Sequence, residues 1–370
     1  MTDVLIIGGG IMGMLTAKEL LKKGARVTLL DKSELGSEAS WAGGGIVSPL
    51  YPWTYSDAIT KLADWAQKAY PNLAEELLDC TGIDPEFNPC GLLMLEPDQM
   101  QVAEDWAHLH HKKVARLGSQ EVREREPRVT MSCEKNLFLP YVGNIRNPRL
   151  LKSLRAYLQS HKGFQSVTHC EVIGLTKRGA SVEVQSTSNQ FSAEKVVICS
   201  GAWSQRLLTQ LAVSSGVRVQ PVKGQMLVFA PVPGLINSIV MHQGKYLIPR
   251  LDGRIVMGST LEHSGFDKST TQEARQQLLA RAFEMVSELQ GVQVEAHWAG
   301  LRPGSAAGVP FIGALPGWDN LFINAGHYRN GLVLAPASAG LVSAIVLGET
   351  PPVDPSPYDP AAEREPAPMH

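Results

Sequence analysis

The stretch IIGGGIMG, residues 6–13, decides how the rest of the chain is read. Gly8, Gly10 and Gly13 stand in the G-x-G-x-x-G spacing, after an apolar strand (Asp3–Ile7) and at the head of a helical run (Ile11–Lys23). Gly8 suits a tight turn, Gly10 lets a pyrophosphate approach the backbone, and Gly13 lets the helix pack on the strand. A second strand, Arg26–Leu30, ends in Asp31, whose carboxylate can accept both ribose hydroxyls of an adenosine and disfavours a 2′-phosphate, hence NADP. This order predicts a Rossmann-like dinucleotide site. By itself it does not choose between NAD and FAD.

Two later stretches bear on that choice. SEASWAGGGIVSP (37–49) is a run of small residues, among them Ala39, Ser40, Gly44 and Gly45, able to lie flat against a ring system or a phosphate. The plain alternative is a flexible surface loop. EKVVICSGAWS (194–204) reads as a buried strand ending in Ser200–Gly201, a small-residue turn of the kind that passes a flavin nucleotide.

With 370 residues, 44% of them apolar, the chain has room for two domains. A formal charge of −2 gives no reason to expect nucleic acid or an anionic membrane as partner. No apolar run is expected to reach the ~18 residues of a membrane span. The start, DVLII, lacks a basic leader, and the five cysteines are scattered without a C-x-x-C, which together predict a cytoplasmic protein with buried thiols. His108, His110 and His111 point in different directions on a helix, so a solvated face is expected there and no metal site.

Periodicity predicts helices at 57–80, from Asn147 as N-cap with Pro148 at the first helical position, at 270–289 and at 331–348. Strands are expected at 166–175, 181–185, 195–200, 217–229, 238–250, 254–260, 292–300 and 320–325. Glycine-rich nucleotide elements recur near 195–203 and 326–332. The chain is therefore expected to be α/β. A discontinuous Rossmann-like FAD-binding domain (1–85, 146–216 and 300–348) carries an inserted antiparallel-sheet substrate domain (86–145 and 217–299). The Pro-rich tail, 349–370, is expected to be disordered or loosely draped.

Two residues suggest substrate chemistry. HWAGLRPGSAAGVPFIG (297–313) places Arg302 after an apolar strand and before a Pro–Gly turn, and GKYLIPR (244–250) places Tyr246 in the inserted sheet. A lone Arg is usually a solvated charge and a lone Tyr usually packs. An Arg in an apolar setting needs an anionic partner, which a substrate carboxylate would supply.

These stretches, with PVKGQM (221–226) and NAGHYRNGLVLAP (324–336), resemble the FAD-dependent D-amino-acid oxidase superfamily. Within it, the chain is similar to the glycine oxidases of the thiamine pathway, over about residues 1–348. The resemblance implies that Arg302 pairs with the substrate carboxylate, that Tyr246 hydrogen-bonds it, and that Arg329 is a second contact at the substrate edge. It implies an FAD site lined by Ile11, Met12, Asp31, Lys32, Gly44, Gly45, Ile46 and Val172, and by His327, Tyr328, Arg329, Asn330, Gly331, Leu332 and Val333. No Cys follows Cys199, so non-covalent FAD is expected. The implied reaction is oxidative deamination of glycine, sarcosine, D-proline and small D-amino acids with O2, giving a 2-oxo acid, ammonia or an amine, and H2O2. No acid or histidine in a motif position claims the role of general base, which suits hydride transfer. The dipole of the helix beginning at Gly331 would favour reduced flavin. A homo-oligomer is expected. The alternative is a D-amino-acid dehydrogenase of the same fold passing electrons to a quinone or carrier.

Overall fold

In the computed structural model, which describes residues 2–131 and 133–364, the strand Thr2–Ile7 runs through the middle of an eight-stranded sheet. It pairs in parallel with Val27–Leu30 on one side and with Gln190–Ile198 on the other. Phe164–Val167 extends the sheet past the first neighbour. Leu321–Ala325 and then the antiparallel strand Phe311–Ala314 extend it past the second. The hairpin Val172–Arg178 and Ser181–Ser186 branches from Gln190–Ile198.

A parallel sheet must be covered on both faces, and alternation along the first strand shows how this one is. Val4 and Ile6 pack with the helices Ile11–Lys22, Asp57–Thr81, Asn147–Ser160 and Gly331–Leu347. Leu5 and Ile7 face the opposite cluster, with Leu208, Val217 and Val219. The last helix lies against Asp57–Thr81 so closely that a Cβ on Gly340 would meet the Trp65 ring at 2.3 Å. The Tyr70 phenol donates to the carbonyl of Leu332 at 2.5 Å.

The glycine turn behaves as its spacing requires. Gly8 has φ +111°, and a Cβ there would sit 2.4 Å from the carbonyl oxygen of Cys199 on the neighbouring strand. A Cβ on Gly13 would lie 1.9 Å from the carbonyl of Gly8, so the helix rests directly on the turn.

The second sheet also has eight strands, in the order Val294–Gly304, Gln220–Phe229, Ile255–Gly258, Lys245–Pro249, Ile239–His242, Leu92–Leu95, Asn136–Leu139 and Ala115–Leu117. It is mixed and not purely antiparallel, because Ile239–His242 and Leu92–Leu95 run parallel. One face packs on the helix Gln272–Met285. The other carries Met226, Tyr246 and Ile248.

Several expectations are corrected. The run 238–250 is two strands folded about Gln243 and Gly244, both at positive φ, and 166–175 breaks near His169, also at positive φ. Arg302 and Pro303 lie within Val294–Gly304 and not after a strand; the strand is at the sheet edge, where proline is tolerated. The expected domain boundary at residue 300 falls inside this strand. Asn147 is the first helical residue and not the N-cap, which is Arg146. The segment Tyr328–Leu347 is long and apolar enough to cross a membrane, against the expectation of no such run, and 67% of its apolar window is buried in the protein.

The tail is packed as far as residue 364. Tyr358 is 1% exposed, and its hydroxyl donates to the carbonyl of Ala58 at 2.7 Å. Arg364 donates to the carbonyls of Val309 and Pro310 and lies over the Phe311 ring. Prolines made the segment look unstructured, but they stiffen a strap that one aromatic anchors. Removing that anchor with Tyr358→Ala should cost about 3–5 kcal/mol, read as a lower midpoint in urea unfolding followed by tryptophan fluorescence. An unchanged midpoint would show that the strap adds nothing.

Candidate active site

A cavity of about 340 Å³ runs from Asp31 at the edge of the first sheet to Arg302 on the second. At the first end, Asp31 follows Val27–Leu30. Its Oδ2 accepts from the backbone N–H of Gly9 at 2.7 Å and its Oδ1 from that of Ser33 at 2.7 Å. Burial pushes the carboxyl pKa upward while these two N–H groups hold it down. Each oxygen keeps a lone pair for a ligand hydroxyl. The Lys32 ammonium sits 3.8 Å from the centre of the Trp203 ring. Ser40 Oγ accepts from the N–H of Ile11 at 2.9 Å, which ties the small-residue stretch to the start of the first helix.

That stretch has little preference of its own for one conformation, and three donors from elsewhere hold it. The carbonyl of Ser40 accepts from Asn147 Nδ2 at 2.7 Å, that of Ala42 from Trp298 Nε1 at 3.0 Å, and that of Gly44 from Arg250 Nη2 at 2.8 Å. Arg250 is buried, and its Nη1 donates to Asn144 Oδ1 and to the carbonyl of Ile145. Burial pulls the pKa of this guanidinium down to about 10. Asn147 therefore gives up the expected capping role to anchor the loop.

At the other end the second sheet brings a guanidinium, a phenol and a hydroxyl together. Cross-strand pairs put Gly224, Gly258, Tyr246 and Arg302 on one face. A Cβ on Gly224 would meet the Arg302 guanidinium at 2.2 Å, so only glycine lets the planar fork lie flat on the strand. Arg302 Nη1 donates to the carbonyl of Lys223 at 3.2 Å and Nη2 to Ser259 Oγ at 2.7 Å. The Tyr246 phenol donates to the same Ser259 oxygen at 3.1 Å. Among the described residues no carboxylate pairs with Arg302. Burial lowers its pKa, Tyr246 opposes that, and Arg329 adds like charge.

The wall of this cavity includes Gly8, Gly10, Ile11, Met12, Asp31, Lys32, Ala39, Ser40, Gly44, Gly45, Ile46, Val172 and Gly201, with Tyr246, Arg302, His327, Tyr328, Arg329, Gly331 and Leu332. Gly13 lies behind it against Gly8, Val333 points into the core, and Asn330 is buried outside the wall. Sequence reasoning missed Ser259, Gly224, Gly258, Arg250 and Asn147. Each matters through strand register or a long-range carbonyl, and neither leaves a local motif.

A family model described as FAD dependent oxidoreductase matches residues 3–345. A glycine oxidase of Pseudomonas aeruginosa is 47% identical over 359 residues, covering 97% of this chain and 98% of that protein. A bifunctional ThiO/ThiG protein of Synechocystis is 32% identical over 356 residues, covering 94% of this chain and 52% of its own length. The crystal structure of glycine oxidase from Geobacillus kaustophilus superposes with a TM-score of 0.93 at 31% identity, covering 98% of this chain and 99% of that one.

The residues present fit FAD. Gly201 stands in the wall where a Cβ would meet nothing within 4 Å, and Asn147, also in the wall, keeps a buried acceptor, Oδ1, with no partner.

His327 offers a test of how dry this wall is. Burial pulls its pKa down to about 3, and its Nε2 lies 3.0 Å from Ser338 Oγ. The ring is neutral when folded and takes up a proton near pH 6.5 when unfolded. Its contribution is thus full above about pH 6.5 and lost progressively as pH falls toward 3. Between pH 7 and pH 5, the unfolding free energy of the FAD-loaded protein should fall by about 2 kcal/mol more than that of His327→Gln. Parallel pH profiles would refute a buried neutral imidazole.

Proposed function

The chain belongs to the DAO family of FAD-dependent oxidoreductases and is an FAD-dependent amino acid oxidase; from that premise we propose that glycine and other small amines are its substrates. Sarcosine, D-proline and small D-amino acids are included. The observation that carries this reading is the half-buried guanidinium of Arg302, which opens into the cavity with neutral oxygens as its partners. A cation held this way is costly unless an anion joins it, and the planar fork matches a carboxylate. The name of the ThiO/ThiG relative points to thiamine biosynthesis as the setting.

In this reading Asp31 takes the ribose hydroxyls of FAD, the Gly8–Gly10 turn its pyrophosphate, and the loop around Gly44–Ile46 its ring system. The chemistry the flavin supplies when bound is acceptance of a hydride from the substrate Cα and return of the electrons to O2 as H2O2. The protein's own work is positional. Arg302 takes the carboxylate in two parallel hydrogen bonds and Tyr246 adds a third, which fixes the direction of the Cα–H bond. Arg329 stands at the substrate edge of the same cavity. The carboxylates of the wall, Glu38, Glu171 and Asp31, gather around Lys32 at the nucleotide end. His327 is buried and turned to Ser338. Among the described residues no carboxylate or histidine of the cavity wall is thus placed at the Arg302 end to remove a Cα proton, which suits hydride transfer from the neutral amine. The resulting imine hydrolyses in water.

Anaerobic glycine should bleach the flavin of the purified protein, and readmitted O2 should yield one equivalent of H2O2 per equivalent consumed. Acid should release the yellow chromophore as FAD. Arg302→Ala should lose about 2–5 kcal/mol in kcat/KM with FAD still bound, and Arg302→Lys should recover little because a point charge cannot reproduce the fork. Turnover only with a quinone or dye acceptor would favour the dehydrogenase alternative. Wild-type kcat/KM in Arg302→Ala would make the residue structural.

A further inference from the structure

We infer that Ser259 is a positioning residue for the substrate carboxylate, acting through Tyr246 and Arg302; this rests on the proposed function. Ser259 follows Gly258, whose Cβ-less backbone is pressed against Tyr246: a Cβ there would lie 2.6 Å from the ring. The next residue therefore delivers its hydroxyl to the phenol oxygen, 3.1 Å away, and to Arg302 Nη2 at 2.7 Å. Its backbone is held from the other side, where Lys245 Nζ donates to the Ser259 carbonyl at 2.6 Å. Ser259 is 6% exposed, so water does not compete freely for these positions.

A hydroxyl has two lone pairs and one proton. Here both lone pairs are taken, one by Arg302 and one by Tyr246, the same two donors proposed for the substrate carboxylate. When Tyr246 turns its O–H to a carboxylate, its own oxygen presents a lone pair to Ser259, and Ser259 turns its proton onto it. The result is one directional chain: Arg302 N–H to Ser259, Ser259 O–H to Tyr246, Tyr246 O–H to the carboxylate. The guanidinium charge polarises each link in turn and strengthens the last one. Alanine in this place would leave Tyr246 free to turn its O–H away and Arg302 Nη2 without its acceptor. Ser259 thus makes two separate donors into one unit that recognises an anion.

The test uses the FAD-loaded enzyme and acetate, a carboxylate with no amine to oxidise, titrated by the change in the flavin visible spectrum. Ser259→Ala should weaken acetate by roughly tenfold, the scale of one hydrogen bond to a charged group. In a Tyr246→Phe background the same change should cost markedly less, because its route through the phenol is gone. For glycine, Ser259→Ala should raise KM more than it lowers kcat, while the FAD dissociation constant stays at the wild-type value. Unchanged acetate affinity, or an equal loss in both backgrounds, overturns the inference alone. A wild type that neither binds acetate nor is reduced by glycine overturns the proposed function and this inference together.

Discussion

A guanidinium half withdrawn from water, with no carboxylate paired to it among the described residues, is the constraint around which the second sheet is arranged. Arg302 rests on a strand whose Gly224 has no side chain, beside a strand whose Gly258 makes room for Tyr246. Its hydrogen bonds go to a carbonyl and a hydroxyl, and the charges that bear on it and on its neighbour Lys245 are other cations. Taking such a group out of water costs several kcal/mol, and a protein carboxylate would offset that cost at once. This fold instead leaves the offset to whatever enters the cavity.

The other half of the cavity is shaped by a different economy. Its small-residue loop carries glycines at 43, 44 and 45 and cannot hold itself in one conformation. Three donors fix it by alternate carbonyls, from Asn147 in a helix of the first layer and from Trp298 and Arg250 in the second sheet. A Cβ on Gly44 would touch Ile248 at 2.8 Å and Tyr246 at 3.3 Å, so the loop also packs directly on the substrate wall. The two ends of the cavity are therefore one mechanical object, clasped by a buried arginine.

These interactions differ in how much of them the sequence exposes. The turn at Gly8–Gly13 and the acid at Asp31 were legible because their constraints are local: glycines at fixed offsets and a strand ending in a carboxylate. The last helix was legible from its composition, although its apolar length was underrated: the helical segment is long enough to cross a membrane, and most of its apolar window is buried in the protein. Ser259, Gly224 and Gly258 were not legible, because their meaning lies in a register that joins residues 224, 258 and 302 across three strands. The short strands Leu92–Leu95, Ala115–Leu117 and Asn136–Leu139 hold too few residues to show a period. Asn147 followed by proline resembled a cap, and only the position of Ser40 reveals that its amide serves the loop. Tyr358 was hidden in a proline-rich context whose slot, near Ala58, lies 300 residues earlier.

The central strand of the first sheet is formed by residues 2–7, yet its partner on one side comes from residues 193–198 and the next strand beyond from 321–323. On a ribosome the glycine turn therefore lacks its neighbouring strand until residues 193–198 have been made. Gly8 cannot settle until Cys199 arrives beside it, and the cavity wall closes only when His327–Leu332 has left the exit tunnel. So high a contact order slows folding and lengthens exposure of apolar strand edges. It also means that a nascent or truncated chain has no complete cradle for FAD.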